Sequence, residues 1–589
     1  MQTRRERRLA LSEKERHGKR CTTVPMRLRW KWFGMGAVMG AVLFVLLYGV
    51  SVLDPTNVGW LYAADGDRFQ HQIGFDFYRQ APWTWPLGSM SNYCAPSGTS
   101  IVFTDSVPLF AIFFKLFQVL LPASFQYFGL FGLTGFMLQG GLSCVILCKH
   151  MRSPVCAGFC VPMFVYMPAI VNRSWGHLAL GAHWVILLAL YVWTYREDFD
   201  SNRRCIYTWS TICALSVTIH AYFLPMAGLL MMGFFIDDYQ SKHNLRRVLV
   251  TFASAIAMVM LVFYMIGGFM PGQPGEGHEM GYYSMNLNAL WNPMGRSTLW
   301  PSFPVALEGQ YEGFNYLGLG WMILVALAAG WKLCEWVHCL GLKRISPGGL
   351  QRTCRTYRGT WFVCIISLVL SLGCFVSWNE TILFTYLQGF FTHVLSAFRS
   401  TGRLIWPAIY ILAFATVSFL AKRLYKGHVL SAILAMACIV QIVDILPLLR
   451  SEHDRLKNDI MVQSQSALVH PFWKACEGKY QRLAFLTYAC PGYEAIAKYA
   501  VDNHMEMTNG YLARKNWAAM EEEVQRYQAQ LLSGTLEEGT MVVVAQDKIF
   551  FQQPLTSDTL AHFYVDGYHV LVRKDTLDWQ AYADVLYQP

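Results

Sequence analysis

The stretch Phe33–Leu53, FGMGAVMGAVLFVLLYGVSVL, contains no charged residue. It matches the ~20 residues that cross a bilayer's hydrocarbon core as a helix. Runs of the same kind recur at Phe125–Leu147, Val248–Gly268, Leu317–Val337, Leu404–Leu420 and Val429–Leu446. Apolar residues make up 54% of the chain and charged residues only 15%, and the charges are bunched between the apolar runs. This composition excludes an ordinary soluble enzyme and reads as a mainly α, polytopic membrane protein.

The net charge of +10 does not indicate nucleic acid, because of where it falls. Eleven Lys and Arg precede or begin the first run, from Arg4 to Lys31, and basic clusters recur in short loops. That is the positive-inside pattern of a topological anchor. The first run is too long for a signal-peptide core and lacks a small-residue cleavage site, so it reads as a retained helix. The sixteen cysteines form no framework. Cys144, Cys148, Cys156 and Cys160 sit in apolar runs as small hydrophobes, and only Cys476 and Cys490 could pair, given an oxidising compartment.

Charge bias orients the chain with residues 1–32 as a basic cytoplasmic segment and 33–448 as the membrane domain. About 11 spans result, with the outer segments at 54–123, 269–314 and 379–403. Within the first of these, the apolar stretch 106–121 contains Pro108 and Lys115 and reads as an interfacial, half-inserted helix. From 449 to 589 the long apolar runs stop, and a small extracytoplasmic α/β domain is expected. Strands are expected at Arg482–Tyr488 and Thr540–Ala545, helices over 493–503 and 516–532, and a closing hairpin around Asp566-Gly567.

The polar outer segments hold the candidates for chemistry. Asp65, Asp67, His71, Asp76 and Arg79 lie in the first, where carboxylates beside a membrane are costly to hold. Glycosyl transfer by direct displacement needs a carboxylate to take the acceptor's hydroxyl proton. Asp67, one helical turn before His71, fits that role with His71 as its orienting partner; a solvated loop with a capping Asp65 or Asp67 is the plainer reading. Asp105, followed by Pro108 and an apolar stretch, has the signature of a helix N-cap. Glu312 sits among Tyr311, Phe314 and Tyr316 at an interface. Arg399 and Arg403 flank Ser-Thr-Gly and could grip a phosphate through guanidinium forks, or snorkel. His177 and His183 are six apart and share no helix face, so no metal site is expected. No phosphate-cradling loop, serine-nucleophile or dinucleotide motif appears in a suitable context.

Several strings in order resemble an uncharacterised bacterial multi-pass membrane family. They are Gly66-Asp67…Gln70-His71…Gly74…Arg79…Trp83-Thr-Trp85-Pro-Leu-Gly88 and Phe103-Thr-Asp105-Ser-Val-Pro108. Further along come Gly176-His177…Ala182-His183-Trp184, Gly309-Gln-Tyr-Glu-Gly-Phe-Asn-Tyr-Leu-Gly318 and Phe398-Arg-Ser-Thr-Gly-Arg-Leu-Ile-Trp-Pro407. That family is in turn similar to GT-C glycosyltransferases, which use polyprenyl-phosphate sugars and keep a catalytic Asp or Glu in the first outer loop. The resemblance implies a GT-C-like fold in a bacterial cytoplasmic (inner) membrane, with Asp67 as general base and Arg399 or Arg403 at the donor's phosphate. The remaining candidates, Asp65, Asp76, Arg79, Asp105, His177 and Glu312, would line the substrate site. The partners implied are the polyprenyl-phosphate sugar donor, a glycan or lipid acceptor and the bilayer, with no cofactor and no nucleic acid. The rivals are a flippase or exporter of a lipid-linked glycan, and a scaffold subunit of an envelope assembly.

Overall fold

The computed structural model describes residues 24–63, 66–151, 153–274, 281–341, 357–386, 398–424, 426–462, 467–486, 492–545, 549–551 and 553–587. The six apolar runs of the sequence are six helices long and apolar enough to cross a membrane. These are Met26–Tyr48, Phe128–Cys148, Leu245–Met265, Leu319–His338, Thr401–Arg423 and Gly427–Asp444. A seventh crossing is built from two limbs, Pro154–Val165 and Pro168–Ser174, bent by 49°. Pro168 opens the second limb, where its missing N–H costs no intrahelical bond. The apolar segments Leu178–Thr194 and Arg358–Leu372 are shorter. Asn202–Ile219 and Phe223–Lys242 are full-length helices outside that apolar set, their ends carrying Arg203, Arg204, Asp237 and Asp238.

The first helix packs tightly along Phe128–Cys148. A Cβ on Gly36 would lie 2.2 Å from the carbonyl oxygen of Gly140, and one on Gly40 would lie 2.1 Å from that of Phe136. Two glycines one turn apart thus let backbones touch, the small-xxx-small mode of membrane helix pairing. One end of the bundle is tied by ion pairs, including Arg29 with Asp198, Lys149 with Glu197 at 2.9 Å, and Arg247 with Asp238 at 3.1 Å.

The other end carries the first long loop. Its helix Asp67–Gln80 is buried on all faces from Arg68 to Tyr78. The stretch 106–121 contains the helix Pro108–Leu116, with Leu109, Phe113, Leu116, Phe117, Val119 and Leu120 exposed along one side. Such an unpartnered apolar strip suits an interfacial helix. Lys115 is turned the opposite way and sits over the rings of Tyr78 and Trp83, at 4.0 and 4.6 Å.

The C-terminal region forms a five-stranded mixed sheet in the spatial order Leu560–Val565, Tyr568–Arg573, Thr540–Ala545, Arg482–Phe485, Glu506–Met507. The strand Thr540–Ala545 has the bounds read from the sequence. Asp566 and Gly567, both at positive φ, close the hairpin between the last two strands. Period-two alternation splits the sheet's faces. Ala484, Val542, Val544 and Leu571 pack on the helix Trp517–Ser533 through Tyr527 and Leu531. Leu483, Phe485, Val543 and Val570 join the large core shared with the first loop. Cys476 is buried and unpaired, and Cys490 lies outside the described residues. The connecting helix Leu446–Val462 runs through the expected domain boundary at 448 and docks on the first helix, where His453 Nδ1 meets the Leu47 carbonyl at 2.9 Å.

Candidate functional site

Five chain segments converge beside Asp67. Asp67 opens its helix, where the helix N-terminus favours negative charge. His177 follows the second limb of the bent crossing and Arg173 lies one turn earlier in it. Asp105 lies between the 3-10 turn Ile101–Thr104 and Pro108. His220 ends the helix Asn202–Ile219. Glu312 and Arg403 come from two 3-10 turns, Glu308–Gly313 and Thr401–Ile405. Those turns cross closely: a Cβ on Gly402 would lie 2.6 Å from the Gly313 Cα. Only glycine permits that approach, and it sets the Glu312 and Arg403 side chains beside each other.

The partner of Asp67 is His177 rather than His71, with His177 Nε2 at 2.8 Å from Asp67 Oδ2. Burial pushes the Asp67 carboxyl up, but the His177 imidazole outweighs it and holds the group below the ordinary carboxylate value. His71 Nδ1 instead donates to the Thr104 carbonyl at 3.2 Å, and the Ser106 hydroxyl donates to the His71 carbonyl at 2.7 Å. Burial, helped by His177, lowers His71 to about 4, so the ring is neutral. His71 Nε2 and His177 Nδ1 are both buried without a hydrogen-bond partner among the described residues.

Asp105 is not a helix cap. It lies at φ +54 as the residue closing the 3-10 turn, and the helix at Pro108 starts from Val107 with no side-chain cap. Val107, at φ +49, is a β-branched residue in a region such residues rarely occupy. Two left-handed residues around Ser106 concentrate backbone strain beside the polar cluster. Asp105 Oδ1 faces His220 Nε2 at 3.5 Å. His220 Nδ1 accepts the Tyr222 N–H at 3.2 Å, so the ring's proton sits on Nε2. Burial raises the Asp105 carboxyl to about 6, with His177 and Arg403 offsetting only part of the effect.

Glu312 is clamped by two arginines. Arg173 reaches its Oε2 at 2.7 Å and its carbonyl at 3.0 Å, while Arg403 donates to Oε2 through Nε at 3.1 Å. Burial would raise the Glu312 carboxyl, yet Arg403 and Arg173 together hold it far below its ordinary range. Arg403 also lies 4.9 Å over the Tyr222 ring. Its charge is therefore committed within the protein. Arg399 differs: it sits 5.1 Å over the Tyr283 ring and has no ion pair among the described residues.

Asp76 and Arg79 face elsewhere. Asp76 accepts from the Tyr62 hydroxyl and from Gln72 at 2.8 Å, and burial raises it to about 6. Arg79 donates to the carbonyls of Pro122 and Ala123 at 3.0 Å each. Both line a separate cavity of ≈ 370 Å³ that also meets Lys498, Asp502 and His504. Asp65 lies outside the described residues. His183 is a core residue, its Nδ1 3.0 Å from the Tyr410 hydroxyl. No group of three metal-ligating side chains occurs among the described residues.

Sequence reasoning passed over His220, Tyr222 and Tyr511 as site residues. His220 and Tyr222 read as a turn between two apolar runs, although a histidine and a tyrosine there are themselves a signal. Tyr511 comes from the C-terminal domain, and its phenol feels Asp67, Asp105, Arg399 and Tyr311.

A family model described as "Domain of unknown function (DUF6311)" matches residues 37–446. The chain belongs to the DUF6311 family. A second model, the DUF6311 C-terminal domain, matches residues 472–573. The DUF6311 region contains the cluster from Asp67 to Arg403, and the DUF6311 C-terminal domain supplies Tyr511. No curated protein and no solved structure matches the chain.

Proposed function

We propose that this protein is a GT-C-type membrane glycosyltransferase. It moves a sugar from a polyprenyl-phosphate donor to a cell-envelope glycan or lipid acceptor, on the outer face of a bacterial cytoplasmic membrane that the chain crosses about eleven times. The observation that carries the reading is the Asp67–His177 pair, a partly exposed ionised carboxylate at the end of an apolar bundle, which acts on Tyr511 together with Arg399, an arginine without a carboxylate partner among the described residues.

Asp67 engages His177 through Oδ2, leaving Oδ1 to accept the proton of an acceptor hydroxyl. The freed oxygen attacks the anomeric carbon as the bond from that carbon to the phosphate oxygen breaks. The electron pair leaves with the polyprenyl phosphate, whose growing charge is met by Arg399. Attack opposite the leaving group inverts the sugar carbon. His177 orients the carboxylate, and the Arg173–Glu312–Arg403 clamp fixes the limb that bears His177. Asp105, with its raised carboxyl, is placed to hold a sugar hydroxyl.

Surface-glycan analysis of cells carrying Asp67→Asn at normal protein level tests the reading. Loss of a glycan with a lipid-linked sugar accumulating outside the membrane is the expected result. Accumulation inside would identify a flippase instead, and an unchanged glycan would remove Asp67 as the base.

A further inference from the structure

Residues 507–513 of the C-terminal domain are stitched along the first long loop, and residues 514–515 to the outer segment that follows it. Met507 N–H donates to the Asn92 carbonyl and its own carbonyl accepts from Ala95, both at 2.9 Å, so Tyr93 pairs with Met507 in parallel at the sheet edge. Ala513 N–H donates to the Phe103 carbonyl at 2.8 Å, two residues before Asp105. Arg514 and Lys515 pair as a short antiparallel ladder with Pro274 and Gln273. Midway, the Tyr511 N–H is held by the hydroxyls of Tyr93 and Tyr493, each at 3.2 Å. Those two hydroxyls are themselves hydrogen-bonded to each other.

The strap therefore fixes the Tyr511 backbone while the residue stays 36% exposed, its phenol within electrostatic reach of Asp67, whose side chain is 32% exposed. We infer that Tyr511 is a substrate-contacting residue lent by the C-terminal domain, its ring covering the apolar face of a sugar held over Asp67 and Asp105. The ligand class rests on the glycosyltransferase reading, but the contact does not depend on Asp67 acting as base.

The chemistry around the ring selects a sugar. Asp67 and Asp105 accept hydrogen bonds from hydroxyls, Arg399 donates, and an aromatic face covers the C–H side of a pyranose or furanose. Two carboxylates would repel a bare phosphate, and their desolvation would penalise a lipid chain. Burial pushes the Tyr511 phenol up to about 12, so it stays neutral and keeps its O–H to donate. The sugar could belong to the acceptor or to the donor.

Saturation-transfer NMR on the full-length protein in lipid nanodiscs separates these sources. The acceptor probes are methyl glycosides of glucose, galactose, mannose and arabinose; the donor probe is citronellyl-phosphoryl glucose. Binding of one set is expected in the native protein. It should weaken about tenfold in Tyr511→Ala and Tyr511→Leu, and persist in Tyr511→Phe. Tyr511→Leu keeps a bulky apolar side chain without a ring, and an unchanged melting temperature in that variant separates stacking from misfolding. Loss confined to the glycosides assigns the acceptor, and loss confined to the phosphoryl sugar assigns the donor. No saturation transfer in the native protein, or equal transfer in Tyr511→Leu, overturns the inference. Should Asp67→Asn cells keep their glycan while sugar binding still needs Tyr511, the reaction scheme falls and the contact stands.

Discussion

Arg173 and Arg403, from two different crossings of the bundle, both end on the same Glu312 oxygen, at 2.7 and 2.5 Å. Either pairing alone would leave a charge buried and uncompensated. Glu312→Gln is expected to leave two guanidiniums facing each other without a counter-charge and to destabilise the protein by about 3–5 kcal/mol. Thermal unfolding in detergent or nanodiscs measures this. The depressed Glu312 carboxyl sets the pH sign: its stabilisation is present above its ordinary value near 4.5 and is lost only as pH falls well below it.

His177→Gln removes the group that outweighs burial at Asp67. The carboxylate then protonates at higher pH, and the acid limb of any activity that needs its ionised form moves up by about one unit or more. A pH–rate profile reads the shift. An unmoved limb would separate Asp67 from the rate-determining ionisation.

Arg399→Gln should leave folding intact, since its described contact is one aromatic ring. On the proposal that Arg399 meets the donor's phosphate, losing that charged hydrogen bond should weaken donor binding by about tenfold or more. Donor KM with an unchanged melting temperature would be the signature. Arg403→Gln should show the reverse balance, with stability lost first.

Asp76 provides a pH test away from the cluster. Its raised carboxyl contributes stability below the ordinary value near 3.8, lost as pH rises through about 6. Asp76→Asn should remove this loss and stabilise the protein above pH 6 by about 1 kcal/mol or more. Unfolding curves at several pH values, compared between native and variant, check the sign.

Gly40→Ala forces a Cβ to within 2.1 Å of the Phe136 carbonyl and must push the first helix away from its neighbour. The overpacking should cost about 1–3 kcal/mol. Gly34→Ala, with open space around it on the same helix, is the matched control.

The bundle was legible because hydrophobic runs report their own length: all six long runs recur as helices, five of them within three residues of the expected bounds, while the first begins at Met26, inside the expected basic segment 1–32, and ends at Tyr48. The hairpin at Asp566-Gly567 was legible because its turn chemistry is local. The cluster was legible only in part. Asp67, His177, Glu312 and Arg403 stood out as polar groups flanking apolar runs, but which of them touch is a long-range property. His71, one turn from Asp67, is the natural partner by spacing, yet its Nδ1 is taken by the Thr104 carbonyl, and the bend before Pro168 brings His177 in its place. Asp105 followed by Pro108 reads as a cap, and the left-handed turn that denies it the cap has no sequence marker such as glycine. Tyr511 could not be found by scanning the membrane segments, because it belongs to a different domain.

Tyr511 N–H bonds to a hydroxyl 418 positions earlier in the chain, and this imposes an order on the making of the site. During synthesis Asp67, His177 and Glu312 exist long before the strap that runs past them. A chain whose translation has not reached Lys515 holds its acidic cluster uncovered on one side. The site therefore gains the wall that carries Tyr511 only when synthesis is nearly finished, and a prematurely terminated product lacks it however well its helices have assembled.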